Sequence, residues 1–161
     1  MARDLDVIAI GNAIVDVIVS SDDAFLADVN IQKGAMELVD SKRARFLEEK
    51  MVAPIVTCGG SAANTIVGLS NLGAKCGFIG KVKDDGAGKQ FKRSMEGLNI
   101  TFETPPNMEG KPTAKCLIFV TPDAQRSMNT FLGASTELQP SDISKDFICR
   151  SKILYLEGYL W

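Results

Sequence analysis

The segment Ile55-Val56-Thr57-Cys58-Gly59-Gly60-Ser61-Ala62-Ala63-Asn64 carries the chain from a β-branched run, through two glycines, into an apolar helix that Gly73 stops. The β-branched run predicts a strand, and residues 61–72 predict the helix. Two glycines at such a junction let the backbone approach a ligand closely, and the helix start presents unpaired N–H groups. Asn64, one turn into the helix, can point at the same ligand. A glycine-rich loop with a helix cap and an exposed Asn64 explains the pattern equally well.

Upstream of this junction, residues 6–10 form a short apolar run that predicts a strand buried on both faces of a sheet. A second β-branched stretch occupies residues 14–19. Open α/β sheets bind their ligands beyond the carboxyl ends of the strands, so Asn12 and Asp16 lie where they could contact a ligand. A carboxylate accepts hydrogen bonds and an amide both donates and accepts them, which suits a pair of vicinal hydroxyls. The competing interpretation is simple turn chemistry, because Gly-Asn is a common turn pair.

Downstream, apolar strands alternate with amphipathic helices, as in the helix predicted after Asp84-Asp85, where Phe91, Met95 and Leu98 form an apolar stripe. This alternation predicts an α/β fold with a largely parallel sheet. Half-polar β segments predict a smaller sheet apart from that core. No internal repeat or low-complexity linker is present, so we expect one domain.

The composition excludes several classes of function. The 161 residues carry 18 basic and 20 acidic side chains, which argues against nucleic acid or an anionic membrane as the main partner. Histidine is absent, so neither a Ser-His-Asp nor a Cys-His mechanism can be assembled. The four cysteines include no C-x-x-C pair, which predicts reduced thiols in a cytoplasmic protein and no zinc site. The acidic N-terminus and the short first apolar run predict neither a signal peptide nor a membrane segment.

Three further features of the sequence could contact a ligand. Gly86-Ala87-Gly88-Lys89 is not a phosphate loop, because Lys83 stands where the first glycine is required and Gln90 replaces Ser or Thr. Arg126 falls at a predicted hairpin, where a solvated arginine is the usual explanation. Glu157 ends an apolar strand, where an isolated carboxylate is costly unless a ligand or partner meets it.

The chain resembles the PfkB (ribokinase-like) carbohydrate kinase family over nearly its whole length. The resemblance rests on the order and spacing of several motifs, namely Ile10-Gly11-Asn12-Ala13-Ile14-Val15-Asp16, Cys58-Gly59-Gly60-Ser61-Ala62-Ala63-Asn64-Thr65, Asn71-Leu72-Gly73-Ala74, Phe78-Ile79-Gly80-Lys81-Val82-Lys83-Asp84-Asp85 with Gly88, and Pro112-Thr113. Residues 59–88 are similar to the family's N-terminal signature. Residues 125–134 are similar to adenosine kinases and their bacterial relatives.

The resemblance implies a ribokinase-like, Rossmann-type sheet with a small β lid, incomplete in this chain. Residues 1–161 would be the N-terminal part of one such domain, with lid segments near 14–20, 34–39, 101–104 and 113–132. Members transfer the γ-phosphoryl group of ATP, with Mg²⁺, to a hydroxymethyl group of a sugar or nucleoside. An adenosine- or ribose-type substrate is expected here, and fructose-type sugars remain open. Family members often dimerise through lid strands, so a homodimer through the lid is also open.

By the same resemblance, Asp16 would bind the sugar hydroxyls. The other residues implied in substrate binding are Asn12, Gly34, Met36, Gly59, Gly60, Asn64, Arg126 and Glu157. No catalytic residue and no metal ligand is assigned, because the family's Gly-Ala-Gly-Asp motif, which carries the base and the anion hole, is absent from this sequence. We therefore expect a substrate-binding half of a longer kinase, inactive alone.

Two alternatives stay open. The first is a non-catalytic sugar- or nucleoside-binding fragment. The second is half of a nucleotide-binding oxidoreductase, which Gly11-Asn12-Ala13 disfavours because it lacks the G-x-G-x-x-G spacing.

Overall fold

Two sheets and the helices packed on them make up the chain. The computed structural model describes residues 3–160, so residues 1, 2 and 161 of the predicted domain lie outside the described residues. The β-strands are Leu5–Ile10 (β1), Ile14–Ser20 (β2), Met36–Leu38 (β3), Ile55–Gly59 (β4), Cys76–Ile79 (β5), Ala114–Val120 (β6), Arg126–Phe131 (β7) and Ser151–Leu156 (β8). The α-helices are Asp23–Asp28 (α1), Ser41–Glu48 (α2), Ser61–Asn71 (α3), Gly86–Gly97 (α4) and Lys145–Cys149 (α5), and 3₁₀ helices occupy Gly133–Glu137, Pro140–Asp142 and Gly158–Leu160.

The first sheet, here called the core sheet, holds three parallel strands in the order β5-β1-β8. β1 lies at its centre, and Ile8 and Ala9 have no exposed surface, which explains the continuous apolar run. α3 packs on one face through Ala62, Ala63 and Ile66. All three strands point the same way, so their carboxyl ends meet at one edge.

The second sheet, here called the lid, holds five strands in the order β3-β7-β6-β2-β4. β2 leaves the core sheet directly after β1 and runs antiparallel to β4 and parallel to β6. Val15 and Val17 face the packed side of the lid and are buried. The α/β class predicted from the alternation of elements is confirmed, but the second sheet, predicted to be the smaller, has five strands against three in the core sheet within residues 3–160. No helix among residues 3–160 combines the length and apolar character that a membrane crossing requires.

One expected lid segment lies elsewhere. Residues 101–104 are not in the lid, because Thr101 forms an isolated parallel bridge with Gly77 at the outer edge of the core sheet. The reason is the neighbouring Phe102, which is buried against Phe78 and Phe91 with ring centroids 6.0 and 5.5 Å away. The fifth lid strand is β4 instead, which pairs with β2 from Ile14↔Gly59 to Ile18↔Ile55.

The Asp85 carboxylate joins α4 to the start of β6. It caps α4 by accepting from Gly88 N–H at 2.8 Å, and it accepts from the N–H and hydroxyl of Thr113 at 3.0 and 2.8 Å. Burial alone would raise the pKa of Asp85, but these hydrogen bonds outweigh it and hold the pKa below its ordinary value of 3.8. A Cβ on Gly88 would lie 2.1 Å from the Lys83 carbonyl oxygen, so the turn admits only glycine.

A second close approach joins the two sheets. Gly60 precedes α3 with φ of +100°, and a Cβ there would lie 2.4 Å from the backbone oxygen of Asn12. Glycine is therefore required both by the backbone angle and by the space.

We expect Asp85→Ala to lower the free energy of unfolding by about 2 kcal/mol, because a helix cap and two further hydrogen bonds to a charged group are lost. The depressed pKa means that this stabilisation is complete above the unfolded-state pKa and is lost as the pH falls through the folded-state value. Urea denaturation from pH 7 to pH 3 measures both effects. Asp84→Asn is the control, since Asp84 makes only an exposed ion pair with Lys89, 3.0 Å long. If the difference in the free energy of unfolding between Asp85→Ala and the unaltered chain does not change with pH, the carboxylate charge does not contribute to stability.

A matched pair of glycine substitutions tests the junction at α3. Gly60→Ala is expected to lower the free energy of unfolding by at least about 2 kcal/mol, because the alanine combines a strained φ with a clash against backbone. Gly68→Ala, in the same helix and with nothing within 4 Å of the added Cβ, is expected to raise it by up to about 1 kcal/mol. Equal effects in chemical denaturation would contradict the steric argument.

Candidate functional site

The candidate site lies where the carboxyl-end edge of the core sheet meets the start of α3. Asn12 follows β1 and Glu157 follows β8, and both are buried, with 6% and 7% of their surface exposed. These are the strand ends at which α/β proteins meet their ligands. The sequence-predicted residues Asn12 and Glu157 therefore lie at the same edge, although 145 positions separate them in the chain (157 − 12).

Three consecutive residues at the start of α3 each contact one of the predicted polar residues. The Asp16 carboxylate lies against Gly59, where an added Cβ would come within 2.1–2.4 Å of its atoms. Gly60 lies against the backbone of Asn12 in the same way. The hydroxyl of the next residue, Ser61, donates a hydrogen bond to Glu157 Oε2. Since three residues span at most about 10 Å, the two carboxylates flank one helix start.

Asp16 carries a partly buried carboxylate whose pKa departs from its ordinary value. Burial raises the pKa of its carboxyl above the ordinary value of 3.8, and the positive charge of Arg126 opposes that rise. Neither Asp16 nor Glu157 forms an ion pair with any of residues 3–160 at 4.0 Å or less. A half-buried carboxylate without a cation is costly, so its retention favours a role toward a ligand.

A row of polar side chains that the sequence analysis did not single out crosses the lid beside Asp16. Strand register places Thr57 and Cys116 directly opposite Asp16 on its two neighbouring strands, and Thr130 opposite Cys116. The Thr130 hydroxyl donates to Cys116 Sγ at 3.3 Å, and burial raises the pKa of the Cys116 thiol to about 11. Paired residues share a face of a sheet, so this row forms the lid surface around Asp16. Only the pairing register reveals it.

The other predicted residues fall at varying distances from this row. Met36 lies one row farther along the same lid face, opposite Met128, and is half exposed. Arg126 lies on the same face at the end of β7, and its charge reaches Asp16 and Cys116. Asn64 is exposed in the first turn of α3. Gly34 lies apart, at the far end of the lid, where its N–H donates to the Ser127 hydroxyl at 3.0 Å.

A cavity of about 430 Å³ opens beside Glu157. It has Ile10, Leu154 and Leu156 of the core sheet on one side and the 3₁₀ segments near Thr136 and Gln139 on the other. One carboxylate of the site thus faces a largely apolar space, while Asp16 lies in the lid strand β2.

Within residues 3–160 no group of three or more His, Cys, Asp and Glu side chains is placed to hold a metal ion. Gly86-Ala87-Gly88-Lys89 begins α4 as an ordinary helix turn capped by Asp85. The arrangement instead suits a small polyhydroxylated ligand, with two carboxylates as acceptors and the free N–H groups of the α3 start as donors.

Solved structures resemble this chain along almost its whole length. Adenosine kinase from Sinorhizobium meliloti is 46% identical with a TM-score of 0.90, covering 99% of this chain and 49% of that protein. A probable sugar kinase from Rhizobium etli is 44% identical with a TM-score of 0.90, covering 100% of this chain and 48% of its own. Adenosine kinase from Schistosoma mansoni, solved with adenosine, is 25% identical with a TM-score of 0.80 over 93% of this chain and 46% of its own.

Curated protein sequences and a family profile also match this chain. The 5-dehydro-2-deoxygluconokinase of Halalkalibacterium halodurans is 30% identical over 159 residues, 97% of this chain and 41% of that enzyme. The chain thus spans about two fifths of that curated relative and about half of each similar structure. The pfkB family carbohydrate kinase profile matches residues 48–161. The ribokinase-like fold and the family resemblance are confirmed: this chain belongs to the pfkB family of carbohydrate kinases.

Proposed function

We propose that this chain carries the substrate-binding half of an ATP-dependent kinase that phosphorylates the hydroxymethyl group of a sugar or nucleoside of the adenosine or ribose type. One observation supports this most strongly. The consecutive residues Gly59, Gly60 and Ser61 contact Asp16, Asn12 and Glu157 in turn, which gathers acceptors for ligand hydroxyls around one helix start. Similarity at 46% and 44% identity to an adenosine kinase and a probable sugar kinase supports the substrate class.

In this proposal the side chains act by binding and orienting. The Asp16 carboxylate accepts hydrogen bonds from vicinal hydroxyls, and its partly desolvated position strengthens them. The lid row of Thr57, Cys116 and Thr130 covers the ligand and excludes water from it. Asn12 and Asn64 supply amide groups at the other side of the ligand. Such positioning is a large part of catalysis of phosphoryl transfer, which has little covalent chemistry for the protein to perform.

The donor side of the reaction is not assigned to these residues. Family membership implies ATP, typically with Mg²⁺, and bound together they would supply the transferred phosphoryl group and charge neutralisation. The sequence holds no Gly-Ala-Gly-Asp motif to provide the base and anion hole. We therefore propose that the chain binds its substrate without phosphorylating it when alone. The same observation favours a second candidate, a non-catalytic sugar- or nucleoside-binding protein.

Asp16→Asn is the sharpest test of the binding role. Isothermal titration with adenosine and with D-ribose is expected to show binding to the unaltered chain and a loss on the order of 100-fold in affinity for the variant, because a charged acceptor of ligand hydroxyls is removed. Asp28→Asn is the control, since Asp28 is exposed at the end of α1. Absence of binding to the unaltered chain would overturn the proposal, as would equal affinity in Asp16→Asn.

The raised pKa of Asp16 gives the same variant a second signature. Affinity of the unaltered chain is expected to fall as the pH drops through the Asp16 pKa, above 3.8, whereas Asp16→Asn shows no such step. Stability changes in the opposite sense. Because the folded state binds this proton more tightly than the unfolded state, protonation stabilises the chain as the pH falls. Asp16→Asn should therefore be more stable than the unaltered chain at pH 7, with the difference shrinking toward pH 4. A less stable variant at pH 7 would contradict this reading.

A further inference from the structure

The Glu157 carboxylate is a buried acceptor of the candidate site with few hydrogen-bond donors around it. It is 7% exposed, and the hydroxyl of Ser61 is its hydrogen-bond donor. No Lys or Arg among residues 3–160 comes within ion-pair distance of it. Its other oxygen, Oε1, lies 3.2 Å from the position that a Cβ on Gly11 would occupy, so the carboxylate rests against the backbone that follows β1. A buried carboxylate with one neutral donor leaves most of its acceptor capacity open.

A second acceptor without a donor lies at the same sheet edge. Asn12 is 6% exposed, and its side-chain Oδ1 has no hydrogen-bond partner within the described part of the chain. Buried polar atoms in proteins are nearly always paired, so an unpartnered carbonyl oxygen at the sheet edge that also holds a buried carboxylate favours a donor that arrives from outside the chain. The Gly11 and Asn12 backbone holds both groups against the start of α3.

The third acceptor, Asp16, lies on the other side of the α3 start, against Gly59. Arg126 is the positive charge that acts on it, from the exposed end of the lid. Lys81, which follows β5 at the same sheet edge, is buried but paired with Asp142 at 2.6 Å. The site therefore has a carboxylate on each side of the α3 start, and among residues 3–160 no Lys or Arg lies within 4.0 Å of either one.

We propose that Glu157, held in place by Ser61, makes this site select a neutral ligand that presents hydrogen-bond donors and reject sugar acids. This rests on the proposed function and narrows its substrate class to nucleosides and neutral sugars. A ligand hydroxyl or amino group meets the open acceptors of Glu157 and Asn12. A ligand carboxylate placed against Glu157 brings a second negative charge to a position where no Lys or Arg among residues 3–160 lies within 4.0 Å. Like charges at short range in a partly dry site repel strongly.

Ser61 acts here as a positioning residue. Its hydroxyl fixes which way the Glu157 carboxylate points, and Ser61 itself is the first residue of α3. Loss of the hydroxyl leaves the carboxylate free to turn away from the ligand. The effect of Ser61 on ligand choice should therefore depend on the presence of Glu157, which a purely structural serine would not show.

The test compares D-ribose with D-ribonate, which share most of their hydroxyls and differ in charge, by isothermal titration against the 161-residue chain. The unaltered chain is expected to prefer D-ribose at least tenfold. Glu157→Gln should reduce that preference at least fivefold while retaining the side-chain shape. Ser61→Ala should reduce it in the same direction, Ser61→Thr should restore it, and Ser61→Ala added to Glu157→Gln should change nothing further.

Ser70→Ala is the matched control, because Ser70 lies in the same helix and its hydroxyl donates to the Leu98 carbonyl oxygen at 2.8 Å, away from the site. It should leave the ribose preference unchanged. Circular dichroism checks the fold of each variant. If Glu157→Gln does not fold, Glu157→Asp replaces it as the comparison. Because Glu157→Asp keeps the negative charge, this variant should still reject D-ribonate. Equal binding of both sugars by the unaltered chain, or additive effects of Ser61→Ala and Glu157→Gln, would overturn this inference and leave the proposed function standing. Binding of neither D-ribose nor adenosine would overturn both.

Discussion

The absence of side chains at Gly59 and Gly60 is the constraint on which the site depends. The carboxylate of Asp16 fills the space beside one glycine, and the backbone oxygen of Asn12 fills the space beside the other. Because Asn12 follows the central strand of the core sheet and Asp16 lies in the lid, this contact fixes the angle at which the lid leaves the core. Any side chain here would separate the two sheets and the acceptors that they carry. The two glycines thus bring the acceptor groups of the protein together, and they also leave space for a ligand.

A second set of contacts holds the same end of the lid. Asp85 ties the start of α4 to Thr113, immediately before β6, and β6 then pairs with β2 along its whole length. The lid is therefore anchored to the core at one end, through Gly60 and through Asp85. The glycine pair, the aspartate before α4 and the threonine far downstream in the chain act together at that end. Gly60 and Gly88 are points where two segments approach more closely than a side chain would permit.

Much of this arrangement could be read from the sequence, because it depends on local signals. β2 covers Ile14–Ser20, as the β-branched stretch predicted, and Phe91 and Met95 form the buried stripe of α4. Asn12 and Glu157 were each predicted at the end of an apolar strand, and the parallel pairing of β1 with β8 brings both to one edge. What could not be read depends on long-range register. Cys116 and Thr130 reach Asp16 only because β6 and β7 pair with β2 in one alignment out of several, and a shift by one residue would turn both away.

One other difference has an equally specific cause. The family resemblance implied a lid segment near residues 101–104, but the burial of Phe102 among aromatic rings holds that segment to the core sheet. At the start of α3 the N-cap is Gly60, so the Ser61 hydroxyl is free to donate to Glu157. The positive φ of Gly60 ends the strand and begins the helix without a side-chain cap. A single glycine conformation therefore releases a hydroxyl to a carboxylate 96 positions away in the chain.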